Sequence, residues 1–119
     1  MRNFRDLSVW QKAHALTLAI YKVTKTFPRE ELFGLTSQMR RSSSSIAANI
    51  AEGCGRRTDA DFARFLQNAF GSASELEYHI TLAGDLGFIN GDDTDRLSED
   101  VVEVKKMLAA FLRKLNANR

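Results

Sequence analysis

The sequence predicts an all-α protein, an antiparallel up-down-up-down four-helix bundle. Three observations predict it. Four segments space their apolar residues by alternating steps of three and four, the spacing of one helix face. No comparable stretch alternates with the period of two that half-buried strands require. Helix stop and start signals separate the segments at short intervals, which favours antiparallel neighbours.

The first segment aligns Val9, Ala13, Leu16, Ile20, Val23 and Phe27. Phe27-Pro28 is expected to end it, because a residue before proline is pushed out of the helical region. The second aligns Leu35, Met39, Ser42, Ile46 and Ile50, with the serine as the weak member. Gly53 or Gly55 is expected to supply a left-handed C-cap. Thr58-Asp59-Ala60-Asp61 has the form of a capping box and starts the third segment. That segment aligns Phe62, Leu66, Ala69, Ala73, Leu76, Ile80 and Ala83, and Gly87 follows as a C-cap. Asn90 to Asp93 is expected to be a polar turn. The fourth segment aligns Leu97, Val101, Val104, Leu108, Phe111 and Leu115. Asp92, Asp93 and Asp95 suit a helix N-terminus, and Arg113 and Lys114 suit a C-terminus.

The chain of 119 residues fits one domain, 1–119, with 44% apolar and 27% charged residues. No apolar run approaches the roughly 18 residues of a membrane span. The first residues hold no apolar signal core, and the single cysteine, Cys54, has no partner for an internal disulfide. A cytoplasmic protein with no membrane contact is therefore expected. The net charge of +2 hides an asymmetry. Residues 1–57 hold ten Lys/Arg and four Asp/Glu; residues 58–119 hold seven and eleven. A basic half attracts nucleic acid or meets the acidic half of another subunit, and charge alone does not choose.

Helix two is unusual. Four consecutive serines, Ser42 to Ser45, are not there for helix propensity. Ser44, Ala47 and Ala51 make a small face beside the apolar one. Gln38, Arg41, Ser45, Asn49 and Glu52 make a third stripe. That stripe is either an exposed polar face or a subunit interface. Helix one adds Trp10, His14, Thr17, Leu18 and Tyr21 beside its core stripe, a wider arc than a small bundle readily buries. Trp10, His14, Tyr21, Gln38, Arg41, Ser45, Asn49 and Glu52 are thus the interface candidates, and a homo-oligomer is expected. Arg41 and Glu52 stand eleven residues apart, too far to pair along the helix. Each is expected to find its partner on another helix or subunit.

The chemistry-bearing residues offer little to an enzyme. His14 and His79 are the two histidines, and no Glu-x-x-His di-iron motif is present. Glu75 and His79, at i and i+4, fit a hydrogen-bonded pair better than a metal site. Neither a metal nor another cofactor is expected. Cys54 stands near Arg56 and Arg57, whose charge is expected to lower its pKa, but no base accompanies it. The serines lack a nucleophile-elbow setting, and no phosphate-binding glycine loop is present. Arg40, Arg41, Arg56, Arg57, Arg64, Lys105 and Lys106 are the candidates for sequence-independent phosphate binding. A solvated charged surface explains them equally well.

The residues also carry a resemblance. Leu7-Ser8-Val9-Trp10-Gln11-Lys12-Ala13, Phe27-Pro28, Gly34-Leu35, Gln38-Met39-Arg40-Arg41 and Asn49-Ile50-Ala51-Glu52-Gly53 resemble the 23S rRNA intervening-sequence protein family. Phe65-Leu66, Gly71-Ser72 and Glu75-Leu76-Glu77 continue the match over nearly the whole chain. Ala47 departs from it, since the family often has proline there. The resemblance implies a four-helix bundle, a ring-shaped homopentamer and no enzymatic activity. The family is also similar to the accessory protein of diversity-generating retroelements, a basic pentamer that binds nucleic acid and a reverse transcriptase. RNA or a nucleic-acid-handling protein is the partner this implies. The alternative is an oligomer that binds no nucleic acid.

Overall fold

The computed structural model describes residues 2–117. A 3₁₀ turn, Phe4–Asp6, leads into α1, Ser8–Thr24. The connection holds a second 3₁₀ turn, Arg29–Glu31, before α2, Leu35–Cys54. The chain then forms α3, Asp59–Asp85, and α4, Gly91–Ala117. There is no strand among the described residues. A helix of this length spans about 40 Å at 1.5 Å per residue, close to the 46 Å long dimension of the molecule. The helices therefore run along the bundle, and the short connections make successive ones antiparallel. α2 packs on α1 and α3, and α4 packs on α3 and α1.

The spaced apolar residues make the core. Leu16, Ile20, Met39, Ile46, Ile50, Phe62, Leu66, Leu76, Ile80, Leu97, Val101, Val104 and Leu108 are all buried. The weak member Ser42 is buried with them, and Ser43 is buried toward α1. Their hydroxyls donate to the Met39 and Arg40 carbonyls of their own helix, so no polar atom is stranded. Thr17 Oγ1 donates to the Ala13 and Ser43 carbonyls, 3.0 Å each. Small hydroxyl side chains thus let α1 and α2 approach closely.

Three helix ends differ from the sequence reading. α1 stops at Thr24, not Phe27. Its last turn tightens, with Lys25 N donating to the Lys22 carbonyl. Phe27 instead folds back from the connection, is buried, and meets the Phe88 ring at 5.5 Å. Neither Gly53 nor Gly55 is a left-handed cap. Gly53 lies inside α2, and Gly55 has φ −85°. Gly53 is small for another reason: a Cβ there would lie 2.9 Å from Phe62 Cδ1 and from Phe65 Cβ. Asn90 is a cap and not the start of a turn, since its side chain accepts from Asp93 N at 2.8 Å and Gly91 already belongs to α4.

The other two signals hold. Thr58 Oγ1 accepts from Asp61 N at 3.1 Å and opens α3. Gly87 takes φ 77° after α3. Its N–H donates to the Gly84 carbonyl and that of Phe88 to the Ala83 carbonyl, the paired bonds of a Schellman motif.

Candidate functional site

The third stripe of α2 opens onto α3. Gln38, Arg41, Ser44, Ser45 and Ala48 face Ser72 and Glu75 across a groove of about 670 Å³. Serines and alanine line it because α2 needs no bulk on this side, while Ile46 and Ile50 fill the core on the other. Ser72 Oγ donates to Ser45 Oγ at 3.0 Å and joins the two walls. Asn49 Nδ2 donates to the Ser45 carbonyl at 2.8 Å, so it is satisfied within its own helix.

Neither Arg41 nor Glu52 finds a partner on another helix of the chain among the described residues. Both are exposed, and Glu52 pairs with Arg56, one turn on, at 3.2 Å. Within the chain its partner is thus the next turn and not another helix. Arg41 makes no ion pair or hydrogen bond with its side chain among the described residues, and it stands at the groove. Truncating either residue within the chain therefore strands no buried charge. Arg41→Ala and Glu52→Ala are each expected to change unfolding free energy by less than about 0.5 kcal/mol, as exposed residues do. Urea titration checks this.

Along α1, the Trp10 ring stacks on His14 at 4.9 Å and meets Phe4 at 4.9 Å. Tyr21 is exposed beneath the Arg40 guanidinium, 4.8 Å away. Leu18, between them, is 59% exposed. The sequence reading missed Leu32 and Phe33, which extend this apolar surface. Phe33 is 94% exposed, and with Tyr21, Leu32, Thr36 and Arg40 it lines a hollow that reaches Arg41. A phenylalanine just before a helix start was the available signal, outside any periodic stripe.

The basic candidates divide into two groups. Arg40 donates from Nε to Thr24 Oγ1 at 2.9 Å. Arg56 is held by Glu52 and Asp61 and lies over the Phe65 ring. Arg64 pairs with Asp61 at 2.8 Å and covers Phe65 from 4.4 Å. Lys105 pairs with Glu77 at 2.9 Å. Arg41, Arg57 and Lys106 remain without such partners among the described residues. They stand on α2, in the α2–α3 connection and on α4, so they do not converge in one chain.

Cys54 is 2% exposed. Burial pushes its thiol pKa up, and the charge of Arg2 offsets this only in part. The direction is the reverse of that expected from Arg56 and Arg57, because loss of solvent outweighs nearby charge. Thiol reagents are expected to label Cys54 slowly at pH 8 and quickly in urea, by timed alkylation. The unfolded thiol ionises near its ordinary 9.0 and the folded one above it. Stability attached to this group is thus present below pH 9 and is lost as pH rises through the folded pKa.

Arg2 was also missed. Its amide donates to the Cys54 carbonyl at 3.0 Å, and its guanidinium lies 4.4 Å over the Phe62 ring. The N-terminal segment thereby satisfies the C-terminus of α2. His79 is 6% exposed, with Nε2 3.9 Å from Glu75 and Nδ1 lacking a hydrogen-bond partner among the described residues. No three His, Cys, Asp or Glu side chains converge as a metal site among the described residues. No helix among these residues is long and apolar enough to cross a membrane.

The comparisons with known proteins agree with this architecture. A solved crystal structure of a protein of unknown function from the S23 ribosomal protein family of Bacteroides thetaiotaomicron superposes with a TM-score of 0.79. It is 28% identical, over 87% of this chain and 97% of that one. No curated protein matches the chain. The family model for 23S rRNA-intervening sequence proteins matches residues 5–110. Four helices with these boundaries, matched over nearly their whole length, place the chain in the 23S rRNA-intervening sequence protein family.

Proposed function

We propose that the chain is a non-enzymatic, homo-oligomeric helical bundle whose role is to bind a partner. One observation carries this: Leu18, Tyr21, Leu32 and Phe33 expose a run of apolar surface from α1 to the start of α2. Exposed apolar surface of that extent marks an interaction site. Five subunits are the number that the sequence resemblance implies. A protonated, buried Cys54 thiol is a poor nucleophile, which also favours binding over catalysis.

Binding of RNA, or of a nucleic-acid-handling protein, is the second reading. It rests on Arg41, Arg57 and Lys106, whose charge is not spent on partners in the chain. Because they are spread over the bundle, one copy should bind weakly, and repetition around an oligomer would add avidity.

Light scattering tests the first reading. A mass several-fold above 13.4 kDa at micromolar concentration is expected, and a single-chain mass would refute it. Anisotropy of a labelled RNA tests the second. Affinity should fall steeply with salt and fall again for Arg57→Ala combined with Lys106→Ala. No binding at low salt would leave an oligomer that acts on proteins alone.

A further inference from the structure

The groove between α2 and α3 carries opposite charges on its two walls. Arg41 lines it from α2 and Glu75 from α3, across a space of about 670 Å³. The Ser45 and Ser72 hydroxyls join the walls at 3.0 Å. Arg41 precedes Ser45 by about one turn, and Glu75 follows Ser72 by about one turn. Since the two helices are antiparallel, both charges lie on the same side of that contact.

Neither charge is spent within the chain. No ion pair joins Arg41 to Glu75, or to any other carboxylate, among the described residues. The Glu75 carboxylate has the buried His79 beside it, but 3.9 Å is too long for a hydrogen bond.

The uncharged lining adds donors. Ser45 Oγ accepts from Asn49 Nδ2 at 3.1 Å and meets Ser72 Oγ at 3.0 Å. Two hydroxyls bring two protons, and one of these lies between the oxygens. The other has no acceptor among the described residues, whichever serine carries it. Gln38 stands exposed at the same groove with its side-chain amide open. A lone anion here gains Arg41 but meets Glu75, and a lone cation gains Glu75 but meets Arg41. A molecule with both charges suits both walls.

We infer that the α2–α3 groove binds a small zwitterionic amino acid. Its carboxylate sits on the Arg41 guanidinium, a planar fork that matches it. The Gln38 amide and the free serine proton are further donors to it. Its ammonium sits on Glu75. Ser44 and Ala48 leave room for the rest of the molecule. The site does not depend on the self-association proposed above.

Isothermal titration calorimetry of the whole chain, in the assembly it forms in solution, tests this. The probes are glycine, β-alanine, γ-aminobutyrate and ε-aminocaproate, whose two charges stand progressively farther apart. Acetate and methylammonium carry one charge each. At least one amino acid is expected to bind about tenfold more tightly than either single ion, the scale of one added charged contact. Glu75→Gln is expected to weaken that amino acid about tenfold and to tighten acetate. Arg41→Gln is expected to weaken it about equally and to tighten methylammonium. Both positions are exposed, and circular dichroism verifies that each variant stays helical. No binding of any amino acid, or unchanged binding in both variants, would overturn the site. Acetate as tight as the amino acids would make it an anion site and overturn the role of Glu75. A variant whose light-scattering mass falls below the parent's would place these charges between subunits and overturn the site as well.

Discussion

Phe62→Ala is expected to lower the unfolding free energy by about 3–5 kcal/mol, the cost of deleting a buried aromatic ring. Phe62 is fully buried at the start of α3. Its ring meets that of Phe111 on α4 edge-on at 5.3 Å and 85°. The Arg2 guanidinium covers it from 4.4 Å, and the Gly53 backbone of α2 lies against it. One side chain thus joins three helices and the N-terminal segment, and backbone on several sides cannot collapse into the space it leaves. Loss of the cation–π contact adds about 0.5–1 kcal/mol within that range. Urea unfolding followed by circular dichroism measures it. A loss under 1 kcal/mol would mean that the ring does not hold this end of the bundle together.

Gly53→Ala is expected to destabilise by about 1–3 kcal/mol, the usual cost of overpacking. Helix propensity alone predicts the opposite sign, because alanine in a helix interior is favoured over glycine by about 1 kcal/mol. Sterics decide. The added methyl would lie 2.9 Å from Phe65 Cβ, an atom fixed to the α3 backbone, and equally close to the Phe62 ring. The ring can tilt away, but Phe65 Cβ moves only if α3 itself moves. Gly53→Ala introduced alongside Phe62→Ala is expected to cost less than in the parent, since one of the two clashes is gone. Paired unfolding titrations measure this coupling. A Gly53→Ala variant more stable than the parent would show that α2 and α3 have slack here.

These two residues show where a sequence is read well and where it is read poorly. Phe62 belongs to a stripe spaced by three and four, and its burial was legible at once. Gly53 was legible as important and was given the wrong role. A glycine near a helix end suggests a left-handed cap, but close approach of a neighbouring helix demands the same residue. Spacing along one helix says nothing of how near the next one comes. Gly87 met the cap expectation because its requirement, a positive φ, is local to its own turn.

The candidate site divides in the same way. Gln38, Arg41, Ser45, Asn49 and Glu52 were grouped correctly on one stripe, since helical periodicity is set by the backbone. Partner choice was not legible. Glu52 and Arg56 pair one turn apart, whereas Arg64 and Lys105 are occupied by Asp61 and Glu77. A count of arginines and lysines treats all of them as free; Glu52–Arg56 and Asp61–Arg64 pair within one turn, and only Lys105–Glu77 needs α4 packed against α3.

By itself the sequence determined four amphipathic helices, their order, their core stripes and the family they resemble. Each of these depends on local geometry, on hydrophobic spacing and on capping chemistry within a few residues. The tertiary structure alone decided that Phe27 and Arg2 fold back on the bundle and that Cys54 is raised in pKa instead of lowered. It also decided that α2 and α3 leave a groove between them beside the Ser45–Ser72 contact. Burial, close approach and grooves are properties of pairs of helices, and they do not exist until the helices are packed.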